Sequence, residues 1–500
     1  MGDYHGTRFT RAYVQSPVCG PSRMSAYTGR YPRSHGSTAN AFPLRVGEMT
    51  LGDHLRPMGH DTVLIGKTHM RADVEGMERF GVSPDTIIGA RLSECGFDTF
   101  ERDDGLHYVA TDPAYNQHLH DQGHTGDNPW LTAANSVAPE TVDETGNGWL
   151  LKYSDRPALV PEPDSETPYL TRRFIDFLDS RAGQDGWLCH LSFIKPHWPY
   201  IAPASYHNMY GPDSWVAPTR DNGERADPHP VYGAFMNQRV SKAFSRDEVR
   251  ETVLPAYMGL IKQIDDQMGL LFAELKARGL WDKTLIVFTS DHGDYLGDHW
   301  MGEKDLFHEP SVKVPLIIRD PRPNALRGQI SDALVEAIDL APTFVDALGG
   351  DPAYQWFEGR SLLPLLEGSM PEDWRDVAFS EYDYSVMDAR RELDQEISDC
   401  RIVMACDARW KLFYFEGFRP MLFDLENDPD ELHDLGNDPA YAGQCEHLTN
   451  EVFAWYRRGR QRVTVTDAQV SQGGEAATVA QGVIIGFWDE DELRDFKDQT

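Results

Sequence analysis

Four short segments of this 500-residue chain bring together side chains able to do chemistry. In Val18-Cys19-Gly20-Pro21-Ser22-Arg23 a thiol stands close to a guanidinium. A lone cysteine is most often a small buried hydrophobe, but a neighbouring guanidinium would pair with any anion formed there. The other three are Gly66-Lys67-Thr68-His69, Lys195-Pro196-His197 and Ser290-Asp291-His292-Gly293. Asp291 and His292 set a carboxylate beside an imidazole. Plainer roles exist for each. An aspartate after a strand is often a turn or helix cap, and Lys195-Pro196-His197-Trp198-Pro199-Tyr200 could be a rigid proline-bounded loop.

The last three segments each follow a short apolar run rich in β-branched and aromatic residues: Thr62–Ile65, Trp187–Ile194 and Leu285–Thr289, with a fourth such run at Val314–Ile318. Each run is continuous and bounded by Gly, Pro, Asp or Lys, as in strands buried on both faces. Helical stretches lie between them, the clearest predicted over Pro255–Arg278 before Gly279. Alternating strands and helices predict an α/β fold with a large, mainly parallel sheet flanked by helices. Ligands in such sheets bind beyond the carboxyl ends of the strands, so three strands would deliver these polar groups to one rim.

After about residue 370 the pattern changes. Arg401–Phe415 and Pro420–Leu425 read as short antiparallel strands, followed by a helix from about Tyr441 to Arg458. The expected organisation is a catalytic α/β domain over 1–370, a smaller C-terminal α+β subdomain over 371–462, and a tail over 463–500. The apolar stretch Gly482–Trp488 in that tail would pack on its own domain or on another copy of the chain.

A formal charge of −33 argues against nucleic acid and anionic membrane surfaces as partners. No apolar run approaches the ~20 residues that span a bilayer. Six cysteines, without a CxxC pair, fit mostly buried thiols in a reducing compartment, the cytoplasm.

Cys19, Pro21 and Arg23 reproduce a C-x-P-x-R signature followed by Thr28-Gly29-Arg30, and here the chain resembles the formylglycine-dependent sulfatases of the alkaline phosphatase superfamily, close to their phosphonate monoester hydrolase branch. The resemblance implies that a formylglycine-generating maturase converts Cys19 to an aldehyde, whose hydrate attacks sulfur or phosphorus. It implies metal binding by Asp291, His292 and the modified Cys19, where oxygen donors favour Ca²⁺, Mg²⁺ or Mn²⁺ and one imidazole tilts the choice towards Mn²⁺. It places an anion-binding lysine at Lys304, ahead of Val314-Pro315-Leu316. Lys67 and His69 would contact the sulfate and the nucleophile, and His197 would protonate the leaving oxygen. Arg23 joins the catalytic set, and Lys195, Asn40 and His308 the substrate-binding set. With only 11 lysines against 36 arginines, the placement of Lys67, Lys195 and Lys304 in these segments is not random. Many sulfatases carry Asn where His292 stands and the phosphonate hydrolases carry His, which leaves Mn²⁺ or Ca²⁺ open. The phosphonate hydrolases usually replace the Lys67/His69 pair with uncharged residues.

The family opens with an apolar strand ending in metal-binding aspartates, whereas here Gly6-Thr7-Arg8-Phe9-Thr10 already matches the stretch before the signature cysteine. The expectation is a longer gene product, with an upstream strand and weak metal binding in the chain as given. Asp3 and Asp53 are weak substitutes. The His- and Tyr-rich segment Asp98–Trp130, with His107, Tyr108, His118, His120 and His124, fits no zinc spacing and would line the pocket. Three functions follow: hydrolysis of a small organic sulfate monoester, hydrolysis of a phosphonate monoester or phosphodiester, or binding by a catalytically impaired homologue.

Overall fold

The computed structural model describes residues 5–105, 113–139, 145–459 and 462–499. Near the site lie strands β1 (Thr7–Tyr13), β2 (Asp61–Gly66), β3 (Asp98–Arg102), β4 (Trp187–Ser192), β5 (Ile286–Thr289), β6 (Leu316–Arg319) and β7 (Gln329–Glu336). They form two sheets, ordered β5-β6-β1-β7 and β3-β2-β4. Helices α1 (Cys19–Thr28), α2 (Glu166–Ser180), α3 (Asp247–Ala277) and α4 (Leu340–Ala347) cover them.

The run Asp61-Thr62-Val63-Leu64-Ile65-Gly66 is apolar on both faces because β2 is covered on both. Val63 and Ile65 pack with Phe174 and Phe177 of α2, and Leu64 packs with Met24 and Tyr27 of α1. Parallel pairing to β4 runs in register from Asp61 opposite Trp187 to Gly66 opposite Ser192. The expected runs at 62–65, 187–194 and 285–289 are thus strands, within one or two residues at their ends.

The fourth run differs. β6 is antiparallel to both β5 and β1, whereas β1 and β7 are parallel. A loop suffices to join antiparallel neighbours, while a parallel pair needs a crossover element, and the chain between β5 and β6 carries the site residues instead of a long helix. Parallel pairing still predominates near the site.

Helix α3 starts at Asp247, earlier than Pro255, which lies inside it. Proline suits a first turn, but Asp247 and Glu248 occupy that turn, where carboxylates favour the helix dipole.

Among the described residues β4 pairs with β2 alone and β5 with β6 alone, so each has one unpaired edge. Both are only half-buried where β2 is fully covered.

In the C-terminal part β8 (Ala378–Asp383), β9 (Arg401–Cys406), β10 (Trp410–Phe415) and β11 (Met421–Asp424) form an antiparallel sheet in chain order. Helix α5 (Ala442–Arg457) buries Leu448, Val452 and Trp455 against Leu412 and Leu422. The other face of this sheet shares a core with β1, where Phe413 and Phe423 join Tyr13 and Val14. In the tail Ile485 is 79% and Trp488 88% exposed, so neither packs on its own domain among the described residues. No described helix is long and apolar enough to cross a membrane.

Candidate functional site

Cys19 is the first residue of α1, entered from an extended Val18 (φ −120°, ψ 149°). The free N–H groups and positive end of a helix gather there, which favours an anion. Gly20 N–H donates to Asn40 Oδ1 at 2.8 Å, so Asn40 steadies the backbone beside the nucleophile. The thiol is 1% exposed.

Three chain segments reach it from the carboxyl ends of strands. β2 ends at Gly66 with φ 104°, a left-handed conformation that favours glycine, and a Cβ there would collide with the Ser192 carbonyl oxygen. Next comes Lys67, whose Nζ lies 3.8 Å from Cys19 Sγ. Beyond β4 comes His197, and beyond β5 come Asp291 and His292, with His292 Nε2 at 3.0 Å from Cys19 Sγ. His292 Nδ1 faces the Gly293 carbonyl oxygen at 2.7 Å, which makes that nitrogen the donor and turns Nε2 to the sulfur. Lys304, in the loop before β6, donates to His197 Nε2 at 3.2 Å and to Glu303 Oε1 at 2.7 Å.

Arg23 joins the two sheets at this rim. Its Nε donates to Asp291 Oδ2 at 2.7 Å, and its Nη1 to the Lys67 carbonyl and to Ser192 Oγ at 2.9 and 2.8 Å. These bonds tie the ends of β2, β4 and β5 to the helix that carries Cys19. The guanidinium expected to meet the reacting anion is therefore occupied in holding the scaffold.

Burial would raise the Cys19 pKa, but Lys304, Lys67 and His292 outweigh it and bring the thiol well below its ordinary value. Burial opposes ionisation of Asp291 too, and the Arg23 charge overrides it, holding the carboxylate below its usual range. His292 is shifted the opposite way to a merely buried imidazole, raised because Asp291 and Cys19 overcome desolvation. The centre is built to hold negative charge.

Among the described residues, Cys19 Sγ, Asp291 and His292 offer donor atoms all within 4.8 Å of one another. Sγ stands where a formylglycine oxygen would be. A carboxylate, an imidazole and that oxygen fit a divalent cation in donor type, with fewer donors than the about six such an ion takes.

The predicted residues do not all converge. Lys195 Nζ donates to the Pro199 carbonyl oxygen at 2.9 Å and feels Glu166 and Asp103, so it braces its own loop. His308 is fully buried, with Nδ1 2.9 Å from Tyr295 Oη and its ring stacked on His299 at 4.2 Å, on the C-terminal side of the site. These contacts do not involve Cys19, because a position next to a motif does not fix which way a side chain turns. His69 has φ 57°, its N–H is bound by Asp104 Oδ1 at 3.2 Å, and its buried Nδ1 has no hydrogen-bond partner among the described residues. His118 sits in a short helix and pairs with Asp164 at 3.2 Å, while His120 Nδ1 bonds to the His124 carbonyl. His107, Tyr108 and Asp3 lie outside the described residues. Asp53 caps its helix through Thr50. Glu303 was missed: an acid beside Lys304 in sequence gave no sign that the loop would turn it towards His197.

Residues 2–350 match the sulfatase family, and residues 297–457 match the N-sulphoglucosamine sulphohydrolase C-terminal family. The multifunctional alkaline phosphatase superfamily protein PehA of Trinickia caryophylli is 32% identical, over 90% of this chain and 87% of its own. The choline-sulfatase of Rhizobium meliloti (strain 1021) is 28% identical over 93% of this chain and 82% of its own. The solved phosphonate monoester hydrolase of Silicibacter pomeroyi superposes with a TM-score of 0.80 at 29% identity, covering 93% of this chain and 92% of that one.

Proposed function

Because the chain belongs to the sulfatase family, within the alkaline phosphatase superfamily, we propose that it cleaves a small organic sulfate monoester, with Cys19 matured to formylglycine as nucleophile. At the coarser level it is a hydrolase of sulfate or phosphonate esters. The observation that carries the finer reading is Lys67, from the sulfatase-like segment Gly66-Lys67-Thr68-His69, with its Nζ 3.8 Å from Cys19 Sγ.

The hydrate of formylglycine carries two hydroxyls. One attacks sulfur and expels the alcohol, forming a covalent sulfate ester. Loss of the proton from the other re-forms the aldehyde and releases sulfate by C–O cleavage. Lys67 and Lys304 hold charge on the transferred group, where fixed donors in a dry site act strongly. His197 gives the leaving oxygen its proton. Arg23 and Asn40 act as positioning residues. A divalent cation, held by Asp291, His292 and the modified Cys19, would supply charge stabilisation and a lower pKa for the attacking hydroxyl.

The same reading keeps 1–370 as the catalytic part, 371–462 as a sheet-and-helix unit and 463–500 as a tail. The six free thiols support a reducing, cytoplasmic setting.

A second reading, hydrolysis of a phosphonate monoester or phosphodiester, is favoured by the likeness to the phosphonate monoester hydrolase structures and by His292. The deciding experiment is a parallel assay of matured protein on aryl sulfate, aryl phosphonate and aryl phosphodiester in Ca²⁺, Mg²⁺ and Mn²⁺. A higher kcat/KM on either phosphorus ester than on the sulfate would replace the first reading with the second.

A further inference from the structure

We propose that Glu303 sets the charge preference of this site, disfavouring doubly charged tetrahedral groups relative to singly charged ones. The inference rests on the esterase reading only in taking Cys19 as the centre where the anion sits.

The geometry is local and specific. Glu303 Oε1 lies 2.7 Å from Lys304 Nζ and 3.8 Å from His197 Nε2. Lys304 is almost fully buried, while the Glu303 side chain is 32% exposed and so faces the open side of the cluster. Its backbone is in the left-handed region at φ 63°, as is that of Asp305, two residues further on, at φ 115°. Non-glycine residues there are uncommon and strained. The surroundings hold them: Tyr295 N–H donates to the Glu303 carbonyl at 2.7 Å, and Asp305 Oδ1 accepts from Tyr382 Oη at 2.9 Å. The loop backbone is thereby held, and the ion pair with Lys304 keeps the carboxylate beside the cationic cluster around Cys19. Burial disfavours its charge, but Lys304 reverses this and keeps it ionised, and it repels negative charge at Cys19.

A fixed negative charge beside the anion subsite weakens binding of any anion, and a second charge on the ligand doubles the effect. Lys304 and Lys67 attract both kinds of ligand, so they raise affinity without choosing. Glu303 removes part of that attraction, most for dianions. Sulfate monoesters, phosphonate monoesters and phosphodiesters carry one negative charge, while a phosphate monoester carries close to two at neutral pH.

The test compares Glu303→Gln, which keeps shape and loses charge, with Glu303→Asp, which keeps charge. Binding of methyl sulfate (one charge) and inorganic sulfate (two charges) is measured by calorimetry. Alongside it, kcat/KM is measured for aryl phosphate and aryl sulfate at pH 8. In Glu303→Gln the preference should move towards the dianion by roughly ten-fold or more in both measurements, and Glu303→Asp should stay near the parent. An equal change for both ligands, or a Glu303→Asp variant behaving like Glu303→Gln, would overturn the proposal. If no ester is turned over yet the binding ratio shifts as stated, the esterase reading fails and the charge role stands. If the Gln variant does not fold, Glu303→Ser gives the same comparison without the carboxylate.

Discussion

Lys304 Nζ lies 3.2 Å from His197 Nε2, while His197 Nδ1 lies 3.2 Å from the Trp198 carbonyl oxygen. A carbonyl can only accept, so Nδ1 carries the hydrogen and Nε2 accepts from the ammonium. Burial lowers the His197 pKa and Lys304 adds to the effect. The imidazole is thus neutral at rest and must gain a proton on Nε2 before it can serve a leaving group.

From this, His197→Ala should lose about 10²–10⁴-fold in kcat/KM with alkyl or weakly acidic leaving groups and far less with an acidic phenol. A leaving-group series read as log kcat/KM against leaving-group pKa should steepen in the variant. Parallel lines for the two proteins would remove His197 from proton transfer.

Lys67→Ala and Lys304→Ala should each lower kcat/KM by about 10²–10³-fold, uniformly across that series, because they face charge on the transferred group rather than the departing oxygen. Steady-state rates on three esters of differing leaving-group pKa are sufficient to read this.

Maturation should be visible at Cys19. Mass spectrometry of the peptide spanning Val18–Arg23, from protein co-expressed with a maturase, should show loss of the thiol and gain of an aldehyde. Full activity in protein with an intact thiol would exclude the formylglycine route, and Cys19→Ala should be inactive.

Chelation should abolish turnover, since a cation held by Asp291, His292 and the modified Cys19 would supply charge stabilisation, and should leave the Arg23–Asp291 pair in place. Asp291→Asn should do worse. It leaves a buried guanidinium without its partner, a loss of about 3–5 kcal/mol. Calorimetric melting with and without chelator, for both proteins, separates the two effects.

The protein should lose stability on the acid side through His35. Its Nε2 lies 3.0 Å from Ser25 Oγ and its Nδ1 accepts from Ser37 N–H at 3.2 Å, so neither nitrogen has room for a second proton. Burial, with Arg30 and Arg45 adding to it, brings its pKa to about 3. The folded-state value is depressed. The unfolded chain therefore binds the extra proton first, and stability falls as pH drops below about 6.5. Between pH 8 and pH 5 this is worth about 2 kcal/mol. Denaturant unfolding of His35→Gln should show a pH dependence smaller by that amount, despite a lower stability at pH 8.

The sequence alone determined the parts whose signal is local. Thr62–Ile65, Trp187–Ile194 and Leu285–Thr289 read as strands because each is a short continuous apolar run, though only β2 is covered on both faces, and the polar residues after each run must then lie at one rim. Cys-x-Pro-x-Arg and Asp291-His292 also show in short windows, since the first turn of a helix and the end of a strand fix their neighbours. What the sequence could not decide is which side chains turn inward. Lys195 and His308 stand beside the same signatures as His197 and Lys304, yet one braces the Pro199 carbonyl and the other stacks on His299. Arg23 could reach either the reacting anion or a partner far along the chain, and only folding brought Asp291, 268 residues away, within 2.7 Å. The direction of β6 and the inward turn of Glu303 are of the same kind. Each depends on contacts between distant segments, and a long or charged side chain takes its direction from the nearest opposite charge in space rather than from its neighbours in sequence.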